Sequence, residues 1–476
     1  MKYSVITFGC RVNQADSLGF EEELRASGAT CAPPEAADLV VVNTCSVTAT
    51  ADQGARQTIR RVARSNPGAR IVVTGCYATR RPDELAALPN VVQVVHNDDK
   101  PRLLSVITKA TAEGAEYAGN VFFSAGSADS AVAFTTADRF GDGDGSCGAA
   151  IQPGVAGRTA FTLRVQTGCA QPCSYCIIPT TRGAPRSEPV EDILREIRRV
   201  TAAGFKEVAL TGVHLGSYGR DLDCPSSLLE LLQALDSVRL PAGRSSAHND
   251  RSGGGKPETT YGRAKALAER HDDVLFRISS LEPMDCSGEI VDLVAGSLRF
   301  APHFHLPLQH ASNRVLAAMR RPYTIEQYSA LVNEIRAKMP GASIGSDIIV
   351  GFPGETDGDF EQLAAYLERA PLTHLHVFPY SDRPGTLASA MRDKVPGTVV
   401  RERARRVREL GRRLTERFHE SQIGTIHRAL TLDDGSLAVT ENYLKLRIPA
   451  GRARNEWVRI VVTQTGETIR GNLVIG

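Results

Sequence analysis

The sequence predicts an α/β protein in three parts: a parallel-sheet domain, a partial (β/α)6 barrel and a small all-β module. Three observations carry that prediction. Short apolar runs alternate with helix-length segments over most of the 476 residues, the pattern of buried parallel strands joined by crossovers. Stretches rich in Gly, Ala, Ser and Asp interrupt the rhythm and mark boundaries. Near the C-terminus the pattern changes to short alternating runs with turn residues between them. A content of 42% hydrophobic and 23% charged residues is globular and excludes a wholly disordered, collagen-like or coiled-coil chain. At about 150 residues per domain, three domains suit this length.

In chain order, YSVITF, DLVVVN, RIVVTG and VVQVV are the strands of a first domain over residues 1–123. Residues 124–157, with FGDGDGSCGAAIQPG, read as a linker. Six further strands, FTLRVQ, EVALTG, LFRISS, HFHLPL, SIGSDIIVGF and HLHVFPY, build the barrel over residues 158–395. An insertion at about 241–271 with an SGGGKP core interrupts it, too polar to bury. Residues 396–420 form a basic helix, with eight Arg against four Glu between Arg401 and Glu420. RALTL, YLKLRI and WVRIVV are the strands of the last module, residues 421–476.

Lys and Arg number 56 against 54 Asp and Glu, a formal charge of +2, so any nucleic-acid surface must be local. The basic helix and Lys445, Arg447, Arg452, Arg454 and Arg459 of the last module are the candidates. The N-terminal MKYSVITFGC lacks a signal-peptide pattern, and no run approaches the roughly 18 apolar residues of a membrane span. The expectation is a cytoplasmic protein with no membrane partner, in which grouped cysteines bind metal or do chemistry.

Ten cysteines stand in the chain, and six have a chemical setting. Directly after FTLRVQ comes TGCAQPCSYCIIP, which places Cys169, Cys173 and Cys176 in a C-x3-C-x2-C loop at a strand's C-terminal end, where α/β active sites form. Three thiolates on one loop hold three corners of an iron-sulfur cluster and leave one iron open. A zinc knuckle closed by a distant residue is the other reading. Cys10 follows YSVITFG, Cys45 follows DLVVVNT and Cys76 follows RIVVTG. A parallel sheet would bring these three to one edge, although a buried structural thiol is the ordinary reading of any one. Cys31 in a loop, Cys147 in the linker, Cys224 and Cys286 receive no ligand role.

The CxxxCxxC loop with Tyr175 before its last cysteine resembles the radical S-adenosylmethionine (SAM) superfamily. Together with the N-terminal triad and the β tail, it resembles the methylthiotransferase family within that superfamily. The resemblance implies two [4Fe-4S] clusters, one on Cys169, Cys173 and Cys176 that binds SAM and an auxiliary one on Cys10, Cys45 and Cys76. It also implies a TRAM-like RNA-gripping tail, an electron donor such as flavodoxin or ferredoxin, and a sulfur source. TFGCRVNQADS, TGVHLGSYG and LHVFPYSDRPGTLA look like the branch acting on N6-threonylcarbamoyladenosine at position 37 in the tRNA anticodon arm. RISSLEP, HLPLQHASNRVLAAMRRPYT and GSDIIVGFPGET resemble the family's third to fifth strand motifs, and the resemblance puts Tyr175 of the cysteine loop, Thr211 and Gly212 of TGVHLGSYG, and Ser279, Gln309 and Asp347 near SAM. The rivals are the isopentenyladenosine branch, the branch acting on a ribosomal-protein aspartate, and a non-catalytic iron-sulfur RNA-binding protein.

Overall fold

The computed structural model describes residues 1–107, 159–240, 274–466 and 468–474. The expected linker at 124–157, with Cys147, and the expected insertion at 241–271 lie outside the described residues. The chain forms two compact units. The first takes residues 1–107 together with Thr167–Ala170 and Cys176–Ala184, and the second takes most of the rest.

In the first unit, β1 (Lys2–Thr7), β2 (Thr30–Cys31), β3 (Leu39–Thr44), β4 (Arg70–Gly75) and β5 (Val91–Val95) form one parallel sheet in the order β2-β1-β3-β4-β5. Helices α1 (Arg11–Ala26), α2 (Ala49–Ser65), α3 (Cys76–Arg80) and α4 (Pro82–Ala86) connect them, and α5 (Ile178–Arg182) packs against α3. The apolar runs are strands because both faces of the sheet are covered: Val40, Val42, Ile71 and Val73 pack on one side with Ile59, and Val41 and Val72 on the other with Phe20. The edge strand β2 was not expected. It takes in Cys31, which stands in a strand and not in a loop. Two residues are too few to show alternation.

The second unit holds the six expected barrel strands, β6 (Phe161–Arg164), β7 (Glu207–Thr211), β8 (Leu275–Ile278), β9 (His303–His305), β10 (Ser343–Val350) and β11 (His374–Pro379). They form two parallel three-stranded sheets, β6-β7-β8 and β9-β10-β11, joined by bridges from Phe276 to Phe300 and from Ser280 to His305. The covering helices are α6 (Val190–Ala202), α7 (Leu228–Ser237), α8 (Gly288–Gly296), α9 (Asn313–Ala318), α10 (Ile325–Lys338) and α11 (Asp357–Arg369). Thr324 and Thr356 start α10 and α11 with reciprocal side-chain caps.

The basic segment is α12 (Gly397–Ser421), and its cations are tied down. Arg403 is buried between Glu355 and Asp357, Arg406 pairs with Glu361, Arg405 with Glu402, and Arg412 with Glu409 and Glu416. In this RNA-contact candidate, much of the charge meets carboxylates on α12 itself or on and just before α11. The tail is a closed five-stranded barrel of β12 (Ile426–Leu432), β13 (Leu437–Thr440), β14 (Lys445–Arg447), β15 (Trp457–Gln464) and β16 (Arg470–Leu473), in the order β12-β13-β14-β16-β15. Ala429, Leu446, Ile460 and Val462 fill it. No helix among the described residues is long and apolar enough to cross a membrane.

Candidate active site

The strand order puts β1, β3 and β4 side by side, with Thr7 opposite Asn43 and Thr44 opposite Gly75. Each is followed by a cysteine of the N-terminal triad. Cys10 is the N-cap of α1, Cys45 comes directly after β3, and Cys76 opens α3. Two glycines make the approach possible. Gly9 has φ +94°, and a Cβ there would lie 2.7 Å from Cys45 Sγ; Gly75 has φ +101°, and a Cβ there would lie 2.2 Å from the Thr44 carbonyl oxygen. Only glycine meets both demands without strain. The three thiols are close enough to feel one another: burial pushes the Cys45 thiol up to about 12, and Cys10 and Cys76 add to that.

Beside the triad sits a buried charge group that the sequence did not reveal. Lys100 Nζ is 2.7 Å and Arg182 Nη2 is 3.2 Å from the same Asp16 Oδ2, and all three side chains are buried. Asn43 Oδ1 accepts a further bond from Lys100 at 3.1 Å. Burial draws Lys100 down, toward its neutral form, while Asp16 and the Cys76 thiol favour the charged forms of Lys100 and Arg182; a further anion beside them would offset the cost of that burial. Although burial works the other way, Arg182 and Lys100 draw the Cys76 thiol downward, toward thiolate. Three thiolates holding a [4Fe-4S] core would carry a net negative charge to these cations, and the donor set is one such clusters take. These residues therefore fit the group.

On the second triad, Cys169 and Cys176 fall in the first unit and Cys173 in the second. The Cys169 N–H donates to the Gly183 carbonyl at 3.0 Å. Cys173 Sγ accepts from Arg321 Nη1 at 3.3 Å, and that guanidinium is paired with Glu282 and lies 5.1 Å from the Tyr323 ring centre. Ser174 anchors the loop by donating to the Met319 and Ala318 carbonyls, and the Tyr175 ring meets Phe352 edge-on. Arg321 is a further residue that the sequence did not single out.

Of the residues expected near SAM, Thr211, Gly212 and Ser279 stand at the C-terminal ends of β7 and β8. Thr211 closes β7 and is buried. At Gly212 a Cβ would stand 3.0 Å from Gln166 Oε1, the oxygen that accepts the Val213 and His214 N–H groups. The Ser279 hydroxyl is buried with no hydrogen-bond partner among the described residues. Gln309 holds a left-handed backbone, φ +67°, between the Asp347 carbonyl and the Ile349 N–H. Asp347 lies lower in the barrel, and its Oδ1 meets His305 Nε2 at 2.9 Å and His376 Nδ1 at 3.2 Å.

A parallel six-stranded partial barrel whose first strand runs into a C-x3-C-x2-C loop defines a radical SAM enzyme, and the radical SAM superfamily profile matches residues 163–367. The solved radical SAM methyltransferase TsrM from Kitasatospora setae, with cobalamin and a [4Fe-4S] cluster bound, shares the fold at TM-score 0.50 and 14% identity, over 82% of this chain and 74% of that one. Residues 2–97 match uncharacterized protein family UPF0004. Threonylcarbamoyladenosine tRNA methylthiotransferase MtaB of Aquifex aeolicus is 33% identical over 97% of this chain and 100% of its own length. Its Bacillus subtilis counterpart is 32% identical over 92% and 88%. The tRNA-2-methylthio-N(6)-dimethylallyladenosine synthase of Carboxydothermus hydrogenoformans is 31% identical over 99% and 95%. The chain belongs to the methylthiotransferase family of radical SAM enzymes.

Proposed function

We propose that the protein adds a methylthio group to C2 of N6-threonylcarbamoyladenosine at position 37 of tRNA. The observation that carries the family's chemistry onto this chain is the convergence of Cys10, Cys45 and Cys76 beside the buried Lys100 and Arg182. The branch rests on TFGCRVNQADS, TGVHLGSYG and LHVFPYSDRPGTLA, and the threonylcarbamoyladenosine enzymes of Aquifex aeolicus and Bacillus subtilis, 33% and 32% identical over 97% and 92% of this chain, support it.

Cys169, Cys173 and Cys176 hold one [4Fe-4S] cluster and Cys10, Cys45 and Cys76 the other. When bound with SAM, the first supplies a carbon radical, and the second is the site from which sulfur is delivered. Arg321 fixes Cys173 and adds positive charge beside its thiolate. Tyr175, Thr211, Gly212, Ser279 and Gln309 surround SAM, with Ser279 offering its unpaired hydroxyl. Asp347 shares their motifs, but its carboxylate is engaged by two imidazoles, which points to a task other than holding SAM.

The TRAM-like barrel binds the anticodon arm. Lys445, Arg447 and Arg470 are exposed, and Arg447 and Arg470 are register partners on β14 and β16, so their charges stand side by side for phosphate. Flavodoxin or ferredoxin is the electron donor, a sulfur source replenishes what each turnover consumes, and the protein works in the cytoplasm. Nucleoside mass spectrometry of tRNA from cells lacking the protein tests the reading: the 2-methylthio derivative of threonylcarbamoyladenosine disappears. If instead it persists and the isopentenyl analogue is lost, the protein belongs to the other branch. Absence of reductive SAM cleavage by the reconstituted protein would leave only the non-catalytic reading.

A further inference from the structure

The inner face of the last three barrel strands carries a polar column. Pairing sets His305 beside Gly345, Gly345 beside His374, Asp347 beside His376 and Ile349 beside Phe378. Leu375 packs outward against Gly411 of α12, which leaves His374, His376 and Phe378 facing inward. Four of the chain's 11 histidines, His303, His305, His374 and His376, are gathered here. Among the described residues, the inner faces of these three strands present imidazoles and no Lys or Arg.

The column has a buried end and an open one. His305 is buried, Asp347 is partly covered, and the His376 side chain is 57% exposed. One register step onward Phe378 is an exposed aromatic ring, and its neighbour Ile349 packs in the same cluster as Tyr175 of the cysteine loop. The open end therefore rises toward the place where the radical is made. Although burial opposes it, the two imidazoles hold the Asp347 carboxyl well below the usual carboxylate range. The hydrogen bond to Asp347 pushes His376 upward, toward imidazolium, while burial and the neighbouring imidazoles press His374 down to about 4 and keep it neutral.

We propose that His376, fixed by Asp347 and His305, binds the carboxylate of the substrate's N6 substituent while Phe378 stacks on the purine. The inference rests on the substrate reading above. Asp347 takes the Nδ1 edge of His376, so the substrate's carboxylate meets the opposite Nε2 edge, and the cation stands between the two anions. Charge-assisted bonds of this kind are the strong ones, and an exposed ring is what an unstacked base lies on. An isopentenyl group has no charge to offer His376. Both residues stand in LHVFPYSDRPGTLA, a stretch that carried the branch assignment. Two imidazoles and a carboxylate are also a metal-binding set, and the test separates the two.

The reconstituted holoenzyme is given anticodon stem-loops carrying N6-threonylcarbamoyladenosine, its neutral methyl ester, or N6-isopentenyladenosine. The wild type binds the acid about tenfold tighter than the ester, the value of one charge-assisted hydrogen bond. His376→Gln erases that ratio and raises KM for the acid about tenfold with a smaller change in kcat. Phe378→Ala weakens acid and ester alike, roughly 5- to 100-fold, as loss of a base stack does. Circular dichroism and iron content confirm that the variants are folded, and the acid-to-ester comparison on the wild type needs no variant. Equal binding of acid and ester, equal loss of both in His376→Gln, or a stoichiometric non-cluster metal that leaves with His376→Gln overturns the inference. Turnover of the isopentenyl RNA alone overturns the substrate reading beneath it.

Discussion

Cys169, Cys173 and Cys176 share one short loop, whereas Cys10, Cys45 and Cys76 are separated by 35 and 31 residues and meet only because β1, β3 and β4 end side by side. The first triad is a property of a local sequence. The second is a property of a sheet, and it depends on distant residues that hold the strand ends together and balance their charge. The two should therefore fail in different ways. Replacing Cys10, Cys45 and Cys76 together with Ala is expected to halve the iron content, from about eight to about four per chain, to abolish methylthiolated product and to leave reductive SAM cleavage in place. Replacing Cys169, Cys173 and Cys176 also halves the iron but ends SAM cleavage altogether. Iron analysis and 5′-deoxyadenosine release read both, and unchanged iron in the first variant would sink the auxiliary-cluster assignment.

The dependence on the sheet is sharpest at Gly75. An alanine there must adopt φ +101° with its Cβ 2.2 Å from the Thr44 carbonyl oxygen. Strain and overlap together should destabilise the first unit by roughly 2–4 kcal/mol, measured as a lower urea midpoint. The N-terminal iron should be lost with it, and the iron held on the C-x3-C-x2-C loop, whose Cys169 and Cys176 also belong to the first unit, to a smaller extent. Equal loss of both would mean that the two triads are not independent.

Much of this was legible in the sequence. Four of the five strands in the first unit, the six barrel strands and both cysteine sets were visible, because buried parallel strands leave apolar runs and a cysteine after each run is easy to see. The charge group was not. Asp16 lies within TFGCRVNQADS, but Lys100 and Arg182 are single cations whose partners stand far away in the chain, and no periodicity marks such a contact. Arg321 was hidden for the same reason: it reaches Cys173 and Glu282 across the barrel. The basic helix is the opposite case: the sequence displays eight arginines but does not show that Glu355, Asp357 and Glu361 meet two of them.

The hidden cations set up a subtler difference between the triads. Lys100→Met removes one positive charge near Cys10, Cys45 and Cys76 and leaves Arg182 paired with Asp16. At an effective dielectric of about 20, a nearby unit charge is worth roughly 2–4 kcal/mol, which on a one-electron couple is on the order of 100 mV. The auxiliary cluster should become harder to reduce by that order, with the potential of the SAM-binding cluster unmoved. Redox titration followed by electron paramagnetic resonance distinguishes the two signals, and equal shifts in both would show that the charge is not private to the N-terminal triad.

The smallest effect concerns RNA and turns on the same contrast between a charge that is counted and a charge that is available. Lys445, Arg447 and Arg470 are exposed on the C-terminal barrel. Replacing all three with Ala should lower the slope of log affinity against log salt by about 2–3, close to one for each phosphate that the protein no longer neutralises. Arg412 on α12 already spans Glu409 and Glu416, and exposed pairs of this kind are worth about 0–1 kcal/mol. Arg412→Ala should therefore leave the salt slope unchanged and tRNA affinity within about twofold of the wild type. Arg412 counts toward the composition of α12 but is engaged by two carboxylates, so a large loss from Arg412→Ala would mean that RNA breaks its ion pairs and would return the grip to α12.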